Sequence, residues 1–238
     1  MDIICHTASM IPSIENLNVL KNNPLYTRIE LDFRYTKDYH LVWSHGNMLH
    51  SKRISDSRLS ELEEAISLTD VLECLNHKKD ILIEIKDPPR KVILDYTILT
   101  QSLDCLRYYQ KNVQLESFNQ ELINRILCLQ EVGSFDFLDV GLIINLFKTF
   151  RYRNRFPDNL KKIDFISLSN ELFEWPMVGE DYLRYREMLP DVLEYAWSWD
   201  AVYQENEGRI RHYLDCGVDG IITIKPQLVK TCTQTFCK

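Results

Sequence analysis

Eight short apolar or alternating stretches, centred on Ile3, Ile29, Ile81, Val113, Val140, Ile163, Leu193 and Gly220, recur along the 238 residues, most of them separated by helical patterns. This alternation is the strongest constraint on the fold. A parallel neighbour is reached only by a crossover of a dozen or more residues, usually a helix, and eight such units close into a (β/α)8 barrel of the TIM type. The helical patterns begin at Pro12-Ser13, with Leu17 and Leu20 turned inward, and continue near Leu59 to Ile66 and from Thr69 to Asn76, where Thr69 or Asp70 can cap. Further helices are expected at about 91–109, 119–131, 180–188 and 202–215. Between them lie strands at Val113 to Ser117, Val140 to Ile144, Ile163 to Ser169, Leu193 to Trp197 and Gly220 to Ile224. An open doubly wound sheet is the alternative, but no Gly-x-Gly-x-x-Gly or Walker A stretch supports it. His40 to Ser44 is an additional strand, joined to Ile29–Arg34 by a turn at Thr36 to Tyr39, so it must run antiparallel as a small extension of the rim. No Gly-, Ser- or Pro-rich run marks a linker, and residues 1–238 are expected to form one domain.

Polar residues collect where these strands end. Alternation along Ile29 to Arg34 puts Glu30, Asp32 and Arg34 on one face and Ile29, Leu31 and Phe33 on the other. Two neighbouring carboxylates repel unless a cation sits between them, and oxygen donors at close range suit Mg²⁺ or Ca²⁺ better than zinc. Ile81 to Lys86 adds a third carboxylate, Glu84, beside the ammonium of Lys86. His6 ends the first strand, and the return through His40-Leu-Val-Trp-Ser delivers His45 to the same rim. Ser117, Asn145 and Trp197 end later strands. Each has an ordinary explanation, as a solvated strand face, a hydrogen-bonded histidine or a core tryptophan. Their gathering at one rim does not. A proton-transfer group beside a divalent cation is what hydrolysis or transfer at a phosphate requires.

Composition narrows the partners. A net charge of −7 argues against a general nucleic-acid binder. Seven scattered cysteines without a Cys-x-x-Cys pair read as reduced, small apolar residues, and no stretch approaches a membrane span, so a cytoplasmic protein is expected. With only 7 glycines, tight turns must lean on Asn, Asp and Pro.

An ordered set of short motifs then carries a resemblance. Ile4-Cys5-His6 with Glu15-Asn16, Ile29-Glu-Leu-Asp32, Thr36-Lys-Asp38, Ser44-His45, Leu59-Ser-Glu-Leu62, Ile83-Glu-Ile-Lys86, Glu116-Ser-Phe-Asn119, Ala196-Trp-Ser198 and Gly217-Val-Asp-Gly-Ile-Ile-Thr223 with Pro226 follow one another across nearly the whole chain. In that order they resemble the glycerophosphodiester phosphodiesterase family, within the phosphatidylinositol phospholipase C-like superfamily. The resemblance implies one divalent cation, Mg²⁺ or Ca²⁺, held by Glu30, Asp32 and Glu84. It implies His6 and His45 as the acid/base pair, Lys86 steadying a phosphate oxygen, and Trp197 touching a small phosphodiester substrate, while Arg34, on the strand face of Asp32, is placed to reach the same phosphate. The chain departs from the family at Thr7, where an arginine usually follows the first histidine, and at Gly46, where an aspartate usually follows the second. The first loss removes a bidentate anion contact, and the second removes a group that orients a histidine. Arg34, Lys225 or the basic, aromatic segment Phe147 to Lys162 is expected to supply the missing grip. Two other outcomes stay open: a barrel that binds a phosphorylated ligand without turnover, and a transferase using the same groups.

Overall fold

A computed structural model describes residues 1–8, 10–144, 162–170, 173, 191–197 and 205–236. Eight strands run parallel: β1 (Asp2–Cys5), β2 (Arg28–Tyr35), β6 (Asp80–Lys86), β7 (Val113–Ser117), β8 (Leu138–Ile144), β9 (Phe165–Ser169), β10 (Leu193–Trp197) and β11 (Gly220–Thr223). Each pairs with the next, and β1 pairs with both β11 and β2, so the sheet closes on itself. The predicted (β/α)8 barrel is therefore present. β3 (Leu41–Trp43) lies antiparallel on the upper half of β2, with Phe33 opposite Trp43 and Tyr35 opposite Leu41, as the short connecting turn required. A two-stranded ribbon of β4 (Met48–Leu49) and β5 (Lys52–Arg53) follows it.

The helices α1 (Ile14–Asn22), α2 (Leu68–Leu75), α3 (Arg90–Leu94), α4 (Tyr96–Leu103), α5 (Gln120–Glu131), α6 (Glu207–Asp215) and α7 (Pro226–Phe236) are the described ones. Several boundaries differ from the sequence expectation, each for a local reason. Ser67, rather than Thr69 or Asp70, caps α2: its hydroxyl accepts from the Asp70 N–H while the Asp70 carboxylate accepts from the Ser67 N–H. The helix expected at 59–66 is a single 3₁₀ turn, Leu59–Glu61. Glu64 there takes a left-handed φ of 57°, and the Ile66 carbonyl accepts from the Trp43 N–H, so the segment lies along β3. The helix expected at 91–109 breaks at Asp95, whose side chain caps α4 through the N–H groups of Thr97 and Ile98. β9 starts two residues late because Asp164 exchanges hydrogen bonds with Val140 as the chain turns into the strand. Among the described residues eight non-glycine positions have positive φ, and of these only Asn76 and Asp87 are of the expected turn types. The helix expected at 180–188 and most of Phe147–Lys162 lie outside the described residues.

Inside the barrel the side chains are layered. Ile4, Leu82, Phe165, Tyr195 and Ile222 form an apolar floor, while Ile29, Leu31, Phe33, Ile81, Ile83 and Ile85 face outward into the core shared with the helices. Two glycines make room for the large rings of the floor. A Cβ on Gly141 would sit 2.3 Å from the Phe165 ring, and one on Gly220 would sit 2.9 Å from the Tyr195 ring. The six described cysteines are free thiols. Among the described residues no helix is long and apolar enough to cross a membrane.

Candidate active site

The parallel register of β2 and β6 sets Asp32 beside Glu84 and Arg34 beside Lys86. Glu30, Asp32 and Glu84 therefore project into the mouth above the apolar floor. One carboxylate oxygen from each lies within 4.8 Å of the other two, and the residues are only 2%, 1% and 7% exposed. Lys86 Nζ bridges two of them, 2.9 Å from Asp32 Oδ1 and 2.8 Å from Glu84 Oε1. Glu30 Oε2 accepts from the Thr7 N–H at 3.1 Å. The position where the family carries arginine thus contributes its backbone to the carboxylate cluster.

The charge balance is uneven, and the protonation of the carboxylates reflects it. Burial, then Asp32 and Glu84, pushes Glu30 well above the usual carboxylate range. Burial likewise raises Glu84 to about 7, even with the Lys86 ammonium opposing. For Asp32, burial also pushes upward, but Lys86, with contributions from His45 and His6, outweighs it and holds the carboxyl below its ordinary value. Lys86 itself is raised further, since Glu84 and Asp32 overcome its own burial.

Both histidines reach the carboxylate end of the barrel from their own elements. His6 follows β1 directly, and its N–H donates to the Thr223 carbonyl at 3.0 Å, tying it to the last strand. His45 lies two residues beyond β3, on a loop pinned by the Ser44 N–H to the Asp32 carbonyl (2.9 Å) and the Ser44 hydroxyl to the Gly46 carbonyl (3.0 Å). Arg34 completes this anchoring. Its Nε and Nη2 both donate to the His45 carbonyl, at 3.2 and 3.1 Å, and its Nη1 meets Asp87 Oδ2 at 2.9 Å. The Lys225 ammonium donates to the Glu205 carbonyl at 2.8 Å. Trp197, at the end of β10, meets Phe118 edge to face with 6.2 Å between ring centres, so the ends of β7 and β10 share an aromatic wall.

Sequence reasoning quoted Glu116 within a motif but gave it no role. Its register partner is Glu84, so it too points into the mouth. Ser167 on β9 donates to it across β8, where Gly141 has no side chain to intervene. Burial, with Glu84 adding to it, raises Glu116 to about 8. The available signal was parity: Val113 and Leu115 face the helices, which leaves Gln114 and Glu116 inside.

A divalent cation fits this donor set. Three carboxylates face one ammonium, all the donors are oxygen, and Asp32 Oδ2 is buried without a hydrogen-bond partner. Such a group suits Mg²⁺ or Ca²⁺.

No family model matches the chain, and no curated protein matches its sequence. Solved structures do match its fold. A glycerophosphodiester phosphodiesterase from Parabacteroides distasonis superimposes with a TM-score of 0.73 at 15% identity, covering 100% of this chain and 98% of that one. The glycerophosphodiester phosphodiesterase of Thermotoga maritima gives 0.64 at 20% identity over 97% and 98% of the two chains. A calcium-dependent phosphoinositol-specific phospholipase C from Pseudomonas gives 0.56 at 9% identity over 94% and 89%. The chain therefore has, over nearly its whole length, the barrel fold of the glycerophosphodiester phosphodiesterases and their phospholipase C neighbours.

Proposed function

We propose that the protein is a metal-dependent phosphodiesterase acting on a small alcohol phosphodiester, with His6 and His45 as the acid/base pair. One observation carries this reading: a buried cluster of three carboxylates at the end of the barrel where such folds place their chemistry, with His6 directly after β1 and His45 on the loop that the Ser44 N–H ties to Asp32. Its fold neighbours include enzymes that cleave phosphodiesters.

In this reading Glu30, Asp32 and Glu84 hold one Mg²⁺ or Ca²⁺, which when bound polarises a phosphate oxygen. Lys86 offers a positive charge to a phosphate oxygen from the same rim. One histidine takes the proton of the attacking hydroxyl while the other protonates the departing alkoxide as its bond to phosphorus breaks, and imidazole suits both tasks near neutral pH. Trp197 borders the alcohol. Arg34 acts by holding the His45 backbone, which replaces the orientation lost where Gly46 stands for the family's aspartate. This fits a group acting through a carbonyl rather than through the substrate.

The test is a panel of alcohol phosphodiesters offered with and without Mg²⁺ or Ca²⁺, with phosphomonoester and cyclic product both measured. Metal-dependent release of either product is expected. Tight binding of phosphodiesters without product would instead identify a binding barrel, and exchange of one alcohol for another would identify a transferase.

A further inference from the structure

The outer wall of the barrel carries a groove of about 410 Å³ that has no part in the chemistry above. It lies between the C-terminal half of α2 and the 3₁₀ turn Asp104–Tyr108. The hydroxyl of Tyr109, which lines it, donates to the Lys79 carbonyl at 2.7 Å just before β6 begins, so the groove sits at the N-terminal end of the barrel, opposite the carboxylates. Leu72 and Cys105 give it an apolar lining, and three rings join them. His77 and Tyr109 stand 5.1 Å apart at 43°, and Tyr108 is 71% exposed. Glu73 is the charged residue of the lining. His77 Nδ1 accepts from the Gln110 N–H at 3.1 Å, a bond that only the neutral ring can make. Asn76, with a left-handed φ of 46°, ends α2 at the groove, which adds the negative end of that helix. α2 has no basic residue in its last turn, although Lys21 reaches the Cys74 carbonyl from α1.

A carboxylate beside aromatic faces attracts a cation. Elsewhere the chain answers its own rings: Arg107 lies 5.7 and 5.6 Å from the Phe135 and Phe137 ring centres, Arg125 lies 5.1 Å from that of Tyr96, and Lys91 lies 5.3 Å from that of Tyr39. Among the described residues no cation is so placed over Tyr108 or Tyr109. Nor does a lysine or arginine line the groove. Lys79 is held by the carbonyls of Asn23 and Tyr26, and Arg107 is drawn to its phenylalanines. A guanidinium suits the vacancy better than an ammonium, because it stacks flat on a ring while its N–H donors reach the Glu73 carboxylate and the Asn76 carboxamide. Thr69, Glu73, Asn76 and Tyr108 are all exposed, so the groove is too open to enclose a free small ligand. A side chain presented by another protein needs only to be anchored, and arginine is a common anchor. We propose that this groove docks an arginine side chain of a partner protein, on a face that leaves the barrel mouth unobstructed.

The probes are blocked pentapeptides Gly-Ser-X-Ser-Gly in which X is arginine, lysine or citrulline, the last a neutral isostere of arginine. Each is titrated into the whole chain and followed by amide chemical shifts, with no substrate or added metal, so the outcome is independent of the phosphodiesterase reading. The arginine peptide should bind with a Kd on the order of millimolar, and the citrulline peptide about tenfold more weakly, the scale of one cation–π contact and one exposed ion pair. The lysine peptide should fall between them, and the shifts should centre on Asn76, His77 and Tyr108. Glu73→Gln and Tyr108→Ala change exposed side chains and should leave the melting temperature near wild type. Each should weaken the arginine peptide and bring its advantage over citrulline toward one. No shifts with the arginine peptide at about 20 mM, shifts centred elsewhere, lysine or citrulline binding as well as arginine, or unchanged affinity in both variants would each overturn the docking surface. Free arginine binding about tenfold or more tighter than the peptide would overturn it in favour of a small-molecule site.

Discussion

The two ends of the barrel bury polar groups in different ways. At the N-terminal end, Arg28 donates to the Tyr195 hydroxyl and the Asn112 side chain, Gln114 donates to the same hydroxyl, Asn112 reaches Asp139, and Asp2 lies 3.8 Å from the guanidinium. Each of these side chains has at least one partner from another strand or its connecting loop, although Arg28 Nε and Gln114 Oε1 are left without one, and the network cross-links the bottom of the barrel. At the C-terminal end, Glu30, Asp32, Glu84 and Glu116 face one ammonium, and the side chains of Ser169 and Asn170 have no hydrogen-bond partner. One end is organised to hold itself together. The other gathers the groups of the proposed site, as expected where stability is given up for function.

Substitutions at the two ends should therefore separate activity from stability. The largest effect belongs to the histidines: His6→Ala or His45→Ala should lower kcat on the cleaved phosphodiester by roughly 10²- to 10⁴-fold while leaving the melting temperature near wild type. If either variant keeps near-wild-type turnover, that histidine is not part of the chemistry. Glu84→Gln, which keeps size but removes charge, should weaken Mg²⁺ or Ca²⁺ by about 10²-fold in calorimetry; equal affinity would move the ion elsewhere. At the opposite end, Arg28→Ala should destabilise the fold by roughly 2–4 kcal/mol in denaturant titration, because it strands the acceptors around it. Metal affinity should be retained there, and its loss would erase the contrast between the ends.

Smaller, but specific in sign, is the response to pH. Glu84 at about 7 and Glu116 at about 8 are both raised above the ordinary glutamate value near 4.5, so the fold keeps protons that the unfolded chain releases. Their stabilising contribution is complete below about 4.5 and is lost progressively as pH rises to about 8. Asp32, held below its ordinary value, acts in the opposite sense and loses its contribution only in acid. Protein treated with a chelator should melt at lower temperature at pH 8 than at pH 6, and divalent cations should restore more stability at pH 8. A chelated protein that melts higher at pH 8 would contradict the burial of these carboxyls. Arg34→Lys should have the mildest effect, about tenfold in kcat with unchanged metal affinity, since a single ammonium cannot hold both the His45 carbonyl and Asp87. A change in KM alone would instead place the guanidinium on the substrate.

Much of this was legible before any coordinates, because strand parity and the order of elements are written in residue spacing. The inward Glu30, Asp32 and Glu84 and the outward Ile29, Leu31 and Ile83 follow from a period of two, and closure follows from eight crossover units. Contacts that use backbone left no such trace. Arg34 was read onto the correct face, but its acceptor is a main-chain carbonyl at His45, and the strand lying along Trp43 and Ile66 displaced a helix that composition favoured. Glu116 was hidden by being one polar residue in a polar motif, and its meaning depends on Ser167, 51 positions away. The unmet bonds of Ser169 and Asn170 are a property of packing, which spacing does not encode.

The position of Lys86 bears on how such a protein is made. Because its ammonium already lies between Asp32 and Glu84, much of the repulsion that would oppose bringing strands β2 and β6 into register is answered by a charge carried on β6 itself. A newly synthesised chain can then complete its barrel without waiting for an ion. On the proposed reading, a divalent cation would then enter a barrel that has already closed, and could leave it without undoing the fold.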